Sequence, residues 1–148
     1  MTTAFVDTSA WAKRYVPEPE SEQFDAWFAA SAPITVSALG QVELASVLQK
    51  MARSGRLGFT GIDGVRALVN RDISAGFVAI QPWPPNAFDV ACGLVALHSQ
   101  FGLRSLDALQ LACAQAVACR QFATADRKLA LAARASGFEV LWFGAGQL

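Results

Sequence analysis

Short runs of consecutive apolar residues alternate along this chain with longer stretches in which apolar positions recur every three or four. Ala4-Phe5-Val6, in a run that starts at Thr2-Thr3, predicts a first strand, and Asp7-Thr8-Ser9 offers side chains that can cap a helix after it. Ala10 to Tyr15 predicts about one and a half turns of helix, stopped by Pro17 and Pro19. Phe24, Trp27 and Phe28 share one face of a helix over 21–30. Ile34-Thr35-Val36 predicts the next strand. Ser37 then caps a helix to about Ser54, with Leu44, Val47, Leu48 and Met51 as its buried stripe and Gly55 at its end.

A helix over 62–75 and a strand over 77–80 come next, then a rigid turn at Pro82, Pro84 and Pro85 and a helix over 87–100. Gly102 and Ser105 frame the junction to a helix over 106–119. A strand over 122–124, a helix over 127–135 and a strand over 139–143 complete the chain. Strand and helix alternate without a repeat or a flexible linker. This predicts a single α/β domain over 1–148, with a mainly parallel central sheet covered by helices on both faces. Such sheets bind ligands outside the carboxyl ends of their strands, which is where Asp7 falls.

Composition narrows the class. The chain has 148 residues, 53% of them hydrophobic and only 16% charged, which is enough for one buried core and excludes a disordered chain. Alanine is frequent, 28 residues, and clusters from 108 onward, favouring helix there. Cys92, Cys113 and Cys119 lie among apolar residues without a C-x-x-C, and His98 is the only histidine. They read as buried thiols in a reducing compartment, with neither a zinc site nor a disulfide framework, and His98 as an ordinary helix residue. No signal peptide or membrane-spanning stretch is indicated, so a soluble cytoplasmic protein with no membrane contact is expected. P-loop, dinucleotide-fold and G-x-S-x-G motifs are absent.

Charge matters through its placement. Acidic and basic residues balance at 12 each. Four of the acids stand singly in apolar surroundings: Asp7 after the first strand, Glu43 about two turns into the helix after Ile34-Thr35-Val36, Asp107 in a first helical turn, and Asp126 just beyond Phe122-Ala123-Thr124. Each has a structural reading: a cap for Asp7 and Asp126, a dipole partner for Asp107, an exposed helix position for Glu43. Each position is also compatible with the same edge of the sheet. Carboxylates brought together there repel and raise one another's pKa unless a cation neutralises them. Mg²⁺ or Mn²⁺ suits such an all-oxygen set, and Thr8, Ser9 and Thr124 are placed to orient ligands or metal-bound water. With the four acids set aside, the rest of the chain is net basic, including Lys50, Arg53 and Arg56 in one run and Arg127, Lys128 and Arg134 in another.

Four segments then carry a resemblance: Phe5-Val6-Asp7-Thr8-Ser9-Ala10-Trp11, the surroundings of Glu43, the stretch from Leu103 through Asp107 to Ala112, and Phe122-Ala123-Thr124-Ala125-Asp126-Arg127-Lys128-Leu129. In this order they resemble the PIN-domain nucleases and, within them, the VapC toxins of toxin–antitoxin pairs. The resemblance implies that Asp7, Glu43, Asp107 and Asp126 form an acidic quartet binding Mg²⁺ or Mn²⁺ and hydrolysing RNA. Asp7 and Asp107 are then the expected direct ligands. Glu43 serves a second metal or the attacking water, and Asp126 acts through water or an additional metal. Ser9 and Thr124 also match the family pattern. Lys13, Arg14, Arg104 and Arg127 are candidates to grip RNA phosphates around the groove. Trp11 is a candidate to stack on a base, with core packing as its alternative. The same resemblance implies a homodimer and a VapB-like antitoxin whose C-terminal arm occupies the groove and whose N-terminal region makes any DNA contact. A non-toxin RNA-processing nuclease and an inactive RNA- or protein-binding module are the alternatives.

Overall fold

All five predicted strands pair into one sheet. The computed structural model describes residues 4–58 and 61–148, so the Thr2-Thr3 start of the first apolar run lies outside the described residues. The strands are β1 (Ala4–Val6), β2 (Ile34–Ser37), β3 (Val78–Gln81), β4 (Gln121–Thr124) and β5 (Glu139–Trp142). They lie in the order β3-β2-β1-β4-β5, and the four pairings among the described residues are parallel. The helices are α1 (Thr8–Trp11), α2 (Ser21–Ser31), α3 (Ala38–Arg53), α4 (Gly61–Ser74), α5 (Ala87–Leu97), α6 (Ser105–Ala116) and α7 (Arg127–Ala135).

Near-continuous apolar strands are what a sheet buried on both faces requires, and β1 and β2 are buried at every position. Side chains leave the sheet alternately. Phe5 and Phe122 stack at 5.5 Å between ring centroids and pack with Leu111, Leu129 and Ala132 of α6 and α7. Val6, Ile34, Val36 and Ala123 join Trp11, Phe24, Leu44 and Leu48 in the second cluster, under α1 to α4. The predicted α/β architecture with helices on both faces is therefore present. Strand order reverses at β1, which is flanked by β2 and β4, so the crevice for a ligand opens at the carboxyl ends of β1 and β4.

Several boundaries differ from the sequence reading. The helix expected over 10–15 begins at Thr8 and tightens into a 3-10 turn over Ala12–Arg14. α5 stops at Leu97 because the buried His98 leaves the helix to stack on Phe101 and pair its Nε2 with Ser136 Oγ at 2.9 Å. α6 stops at Ala116, since Val117 turns extended to lead the chain back to β4. Of the three cysteines Cys113 is buried, Cys119 half-buried and Cys92 exposed; the last corrects the expectation of buried thiols, because its position on α5 faces away from α6. No helix among the described residues is long and apolar enough to cross a membrane.

α4 is fastened through a buried charge. Asp72, 1% exposed, accepts from Arg14 Nε and Tyr15 Oη, each at 3.1 Å, and pairs with Arg71 Nη2 at 3.3 Å. Tyr15→Phe removes one hydrogen bond to a buried carboxylate without changing shape. It is expected to cost about 1.5–3 kcal/mol in urea unfolding; a change near zero would show that Arg14 and Arg71 suffice.

Candidate active site

β1 ends at Val6, and the next residue, Asp7, turns from extended backbone into α1. It is both cap and site residue: its Oδ1 accepts from Ala10 N at 3.3 Å while the carboxylate faces a cavity of about 720 Å³. The same holds for Asp126, which caps α7 through Leu129 N at 3.1 Å and lines that cavity. Glu43 enters from α3 and Asp107 from the first turn of α6. All four acids singled out in the sequence thus line one cavity at the carboxyl edge of the sheet.

Each carboxylate is engaged by donors, and Asp107 and Asp126 share one. Ser9 Oγ lies 2.9 and 3.0 Å from the two oxygens of Asp7, and also takes a hydrogen bond from Ala125 N at 2.9 Å. Thr124 Oγ1 stands 3.3 Å from Ser9 Oγ and accepts from Asp126 N at 3.0 Å, tying β1 to the turn after β4. Thr8 Oγ1 donates to Glu43 Oε1 at 3.0 Å, and Gln110 Nε2 donates to the same oxygen. Arg104 Nε meets Asp107 Oδ2 at 3.2 Å, and its Nη2 meets Asp126 Oδ2 at 3.5 Å. No three histidine, cysteine or acidic side chains among the described residues converge as a ready-made metal-ligand cluster.

Burial has its strongest effect on Asp7. The residue is 5% exposed, and loss of water pushes its carboxyl up from 3.8 to about 7. Hydrogen bonds from Ser9, Thr124 and the Ala10 amide pull the other way, and the charge of Asp126 adds a small upward push. A carboxyl so placed favours an added positive charge beside it. The rest of the donor set consists of carboxylate and hydroxyl oxygens, the chemistry that hard divalent cations select.

The predicted RNA contacts divide. Trp11 is fully buried against Tyr15 in the core, so stacking on a base is corrected to core packing. Arg14 is corrected too: its guanidinium is spent on Asp25 and Asp72 and lies over the Phe28 ring. Lys13 lines the cavity but is buried, its ammonium held by the Pro19 carbonyl at 2.8 Å and paired with Glu18 and Glu20. Arg104 is exposed at the cavity, whereas Arg127 lies outside its lining and donates to the Gln147 carbonyl at 2.9 Å.

Gln110 is a candidate site position that the sequence reading missed. It is 2% exposed and joins Ser37 Oγ at 2.7 Å and Thr8 Oγ1 at 3.2 Å to Glu43, linking β2, α1, α3 and α6. Its available signal was spacing: a buried amide three residues after Asp107 falls on the same helical face. The cavity also has an apolar rim, with Leu39, Val42 and Val47 from α3 and Leu106 from α6.

No curated protein matches the chain. Among solved structures, it is similar to VapC20 of Mycobacterium tuberculosis, described as a sarcin-ricin loop cleaving toxin, at 18% identity and TM-score 0.71, with 93% of this chain and 97% of that one covered. FitAcB of Neisseria gonorrhoeae aligns at 17% identity and TM-score 0.63, covering 94% and 96%. A toxin-antitoxin complex from Klebsiella pneumoniae aligns at 18% identity and TM-score 0.53, covering 84% and 87%. The superpositions establish a shared fold. The model of the PIN domain matches residues 4–135, nearly the whole chain, and the chain therefore belongs to the PIN-domain family.

Proposed function

We propose that this protein is a metal-dependent endoribonuclease and the toxin of a toxin–antitoxin pair. The observation that carries the proposal is the gathering of Asp7, Glu43, Asp107 and Asp126 around one cavity in a chain of the PIN-domain family. Those four residues would hold Mg²⁺ or Mn²⁺. When bound, such an ion supplies charge for a phosphoryl oxygen and an acidified water for in-line attack.

The protein's own groups prepare that site. Ser9 Oγ shares its one proton between the two oxygens of Asp7, so the carboxylate cannot rotate away from the cavity without losing that bifurcated hydrogen bond. Gln110 and Thr8 hold one oxygen of Glu43 and leave the other free of them. Arg104 supplies a fork-shaped cation at the mouth, where an RNA phosphate would approach. The apolar rim formed by Val42 and Leu106, 68% and 47% exposed, suits the side chains of an antitoxin arm lying in the same groove. On this reading the antitoxin is VapB-like, any DNA contact belongs to it, and the toxin pairs as a homodimer in the cytoplasm.

Purified, antitoxin-free protein is expected to cleave RNA internally with Mg²⁺ or Mn²⁺ and to stop when EDTA is added. Labelled structured RNAs resolved on a denaturing gel check this. Cleavage that persists in EDTA would overturn the metal mechanism, and no cleavage of any RNA would favour a binding module.

A further inference from the structure

Among the described residues, four basic side chains form ion pairs: Lys13, Arg14, Arg71 and Arg104. The first three pair with carboxylates that fasten helices and loops. Arg104 alone takes its partners, Asp107 and Asp126, from the candidate metal ligands. We propose that Arg104 is a tethered counter-cation of the carboxylate cluster, and that it gives up Asp107 and Asp126 when a divalent ion takes their oxygens. The proposal rests on the metal-site reading above.

Arg104 and a divalent ion compete for the same two carboxylates. Asp107 Oδ2 accepts from both the backbone N of Arg104, at 3.4 Å, and its Nε, at 3.2 Å. A hard cation takes carboxylate lone pairs at roughly 2.1 Å; the guanidinium occupies those of Oδ2 and, as a like charge beside the carboxylate, repels an ion on either oxygen. The field of the site falls on Arg104 as well: the Asp107 hydrogen bond, then the charges of Asp107, Asp126 and Glu43, hold its pKa above the ordinary value.

Release of Arg104 costs little. The Arg104 side chain is 70% exposed, against 14% and 24% for its two partners, so it leaves into water without opening a cavity. Exposed ion pairs are weak individually. The chain stays anchored meanwhile, because the Arg104 carbonyl accepts from Ala108 N at 2.9 Å in the first turn of α6, a bond independent of the guanidinium. Lys13 differs on each count, being buried and held by Pro19, Glu18 and Glu20.

The test uses the full-length protein without RNA. Mn²⁺ binding is followed by the electron paramagnetic resonance of free Mn²⁺ for wild type, Arg104→Gln and Arg104→Lys, with thermal unfolding in EDTA confirming that each variant folds. Arg104→Gln is expected to bind Mn²⁺ about three- to tenfold tighter, the release of two exposed pairs, with Arg104→Lys between it and wild type. In ¹⁵N spectra the Arg104 Nε–Hε resonance, assigned by its loss in Arg104→Gln, is expected to move on addition of Mg²⁺. Equal or weaker Mn²⁺ binding by Arg104→Gln, or an unmoved resonance at saturating Mg²⁺, overturns the exchange and leaves the metal site standing. Absence of Mn²⁺ binding in all three proteins overturns both.

Discussion

Asp7→Asn is expected to lower RNA cleavage by at least ~100-fold while the protein stays folded. Asparagine has the shape of aspartate and keeps a carbonyl oxygen for the Ala10 amide, so the cap of α1 survives. What disappears is the capacity to present a negative charge to a cation at the carboxyl end of β1, in the most buried of the four candidate ligands. A divalent ion contributes several kcal/mol to stabilising a phosphoryl-transfer transition state, and about 1.4 kcal/mol corresponds to a factor of ten in rate. Losing a buried ligand therefore registers as orders of magnitude. Initial rates with Mn²⁺, measured beside circular dichroism spectra of both proteins, check the outcome. Cleavage within tenfold of wild type by a folded Asp7→Asn protein would remove Asp7 from the catalytic set. Growth arrest on expression is expected to disappear with the same substitution.

Asp7 is legible in the sequence and Gln110 is not, and the difference lies in how each is held. Asp7 ends an apolar strand and is oriented by Ser9 two residues later, so local pattern and site coincide. Asp126 is similar, with its cap at Leu129 and Thr124 just before it. Gln110 acts on Glu43 across 67 positions, and an uncharged amide among apolar residues gives no electrostatic signal of burial. The same limit applies to Trp11 and Arg14. Nearness to Asp7 in sequence suggests nearness to the groove, but turns of about 100° per residue carry Trp11 into the core. Arg14 is carried toward Asp72 on α4, a partner 58 residues away. Strand order was legible only as a parallel class, because alternation fixes which faces are covered and leaves open which neighbour β1 takes on each side.

Capping and catalysis are rival explanations of Asp7 and Asp126 in the sequence, and the structure gives both residues a cap as well as a place at the cavity. The combination has a physical basis. A cap fixes a carboxylate at the amino end of a helix, where backbone amides favour its negative charge. A cation-binding carboxylate needs a fixed position for a different purpose, and the turn after a parallel strand supplies it at the edge where ligands bind. One oxygen of each residue holds the helix: Oδ1 of Asp7 and Oδ1 of Asp126. Oδ2 of Asp126 meets Arg104 instead, so its two oxygens serve different partners.

Metal-free protein is expected to lose stability as pH rises from about 4 to about 7 relative to its Asp7→Asn variant, by as much as about 4 kcal/mol in full. Proton binding sets the sign. Unfolded, Asp7 ionises near 3.8; folded, burial keeps it protonated up to about 7. Between those values the unfolded chain binds fewer protons than the folded one, so raising the pH draws the equilibrium toward unfolding. Below 3.8 the penalty is absent, and above 7 it is complete. The asparagine of the variant has no proton to lose, and every other titrating group is common to the two proteins. Their difference therefore isolates Asp7 to the extent that its removal leaves the neighbouring acids unchanged. A divalent ion requires the ionised form, so its affinity is expected to climb with pH through 7 and its binding to release a proton. Added Mg²⁺ should then restore stability to wild type above pH 7 and much less to Asp7→Asn. Urea unfolding of both proteins from about pH 4.5 to about pH 8, in EDTA and in Mg²⁺, measures all of this. A stability difference that does not widen with pH in EDTA would mean that Asp7 is already ionised in the folded protein.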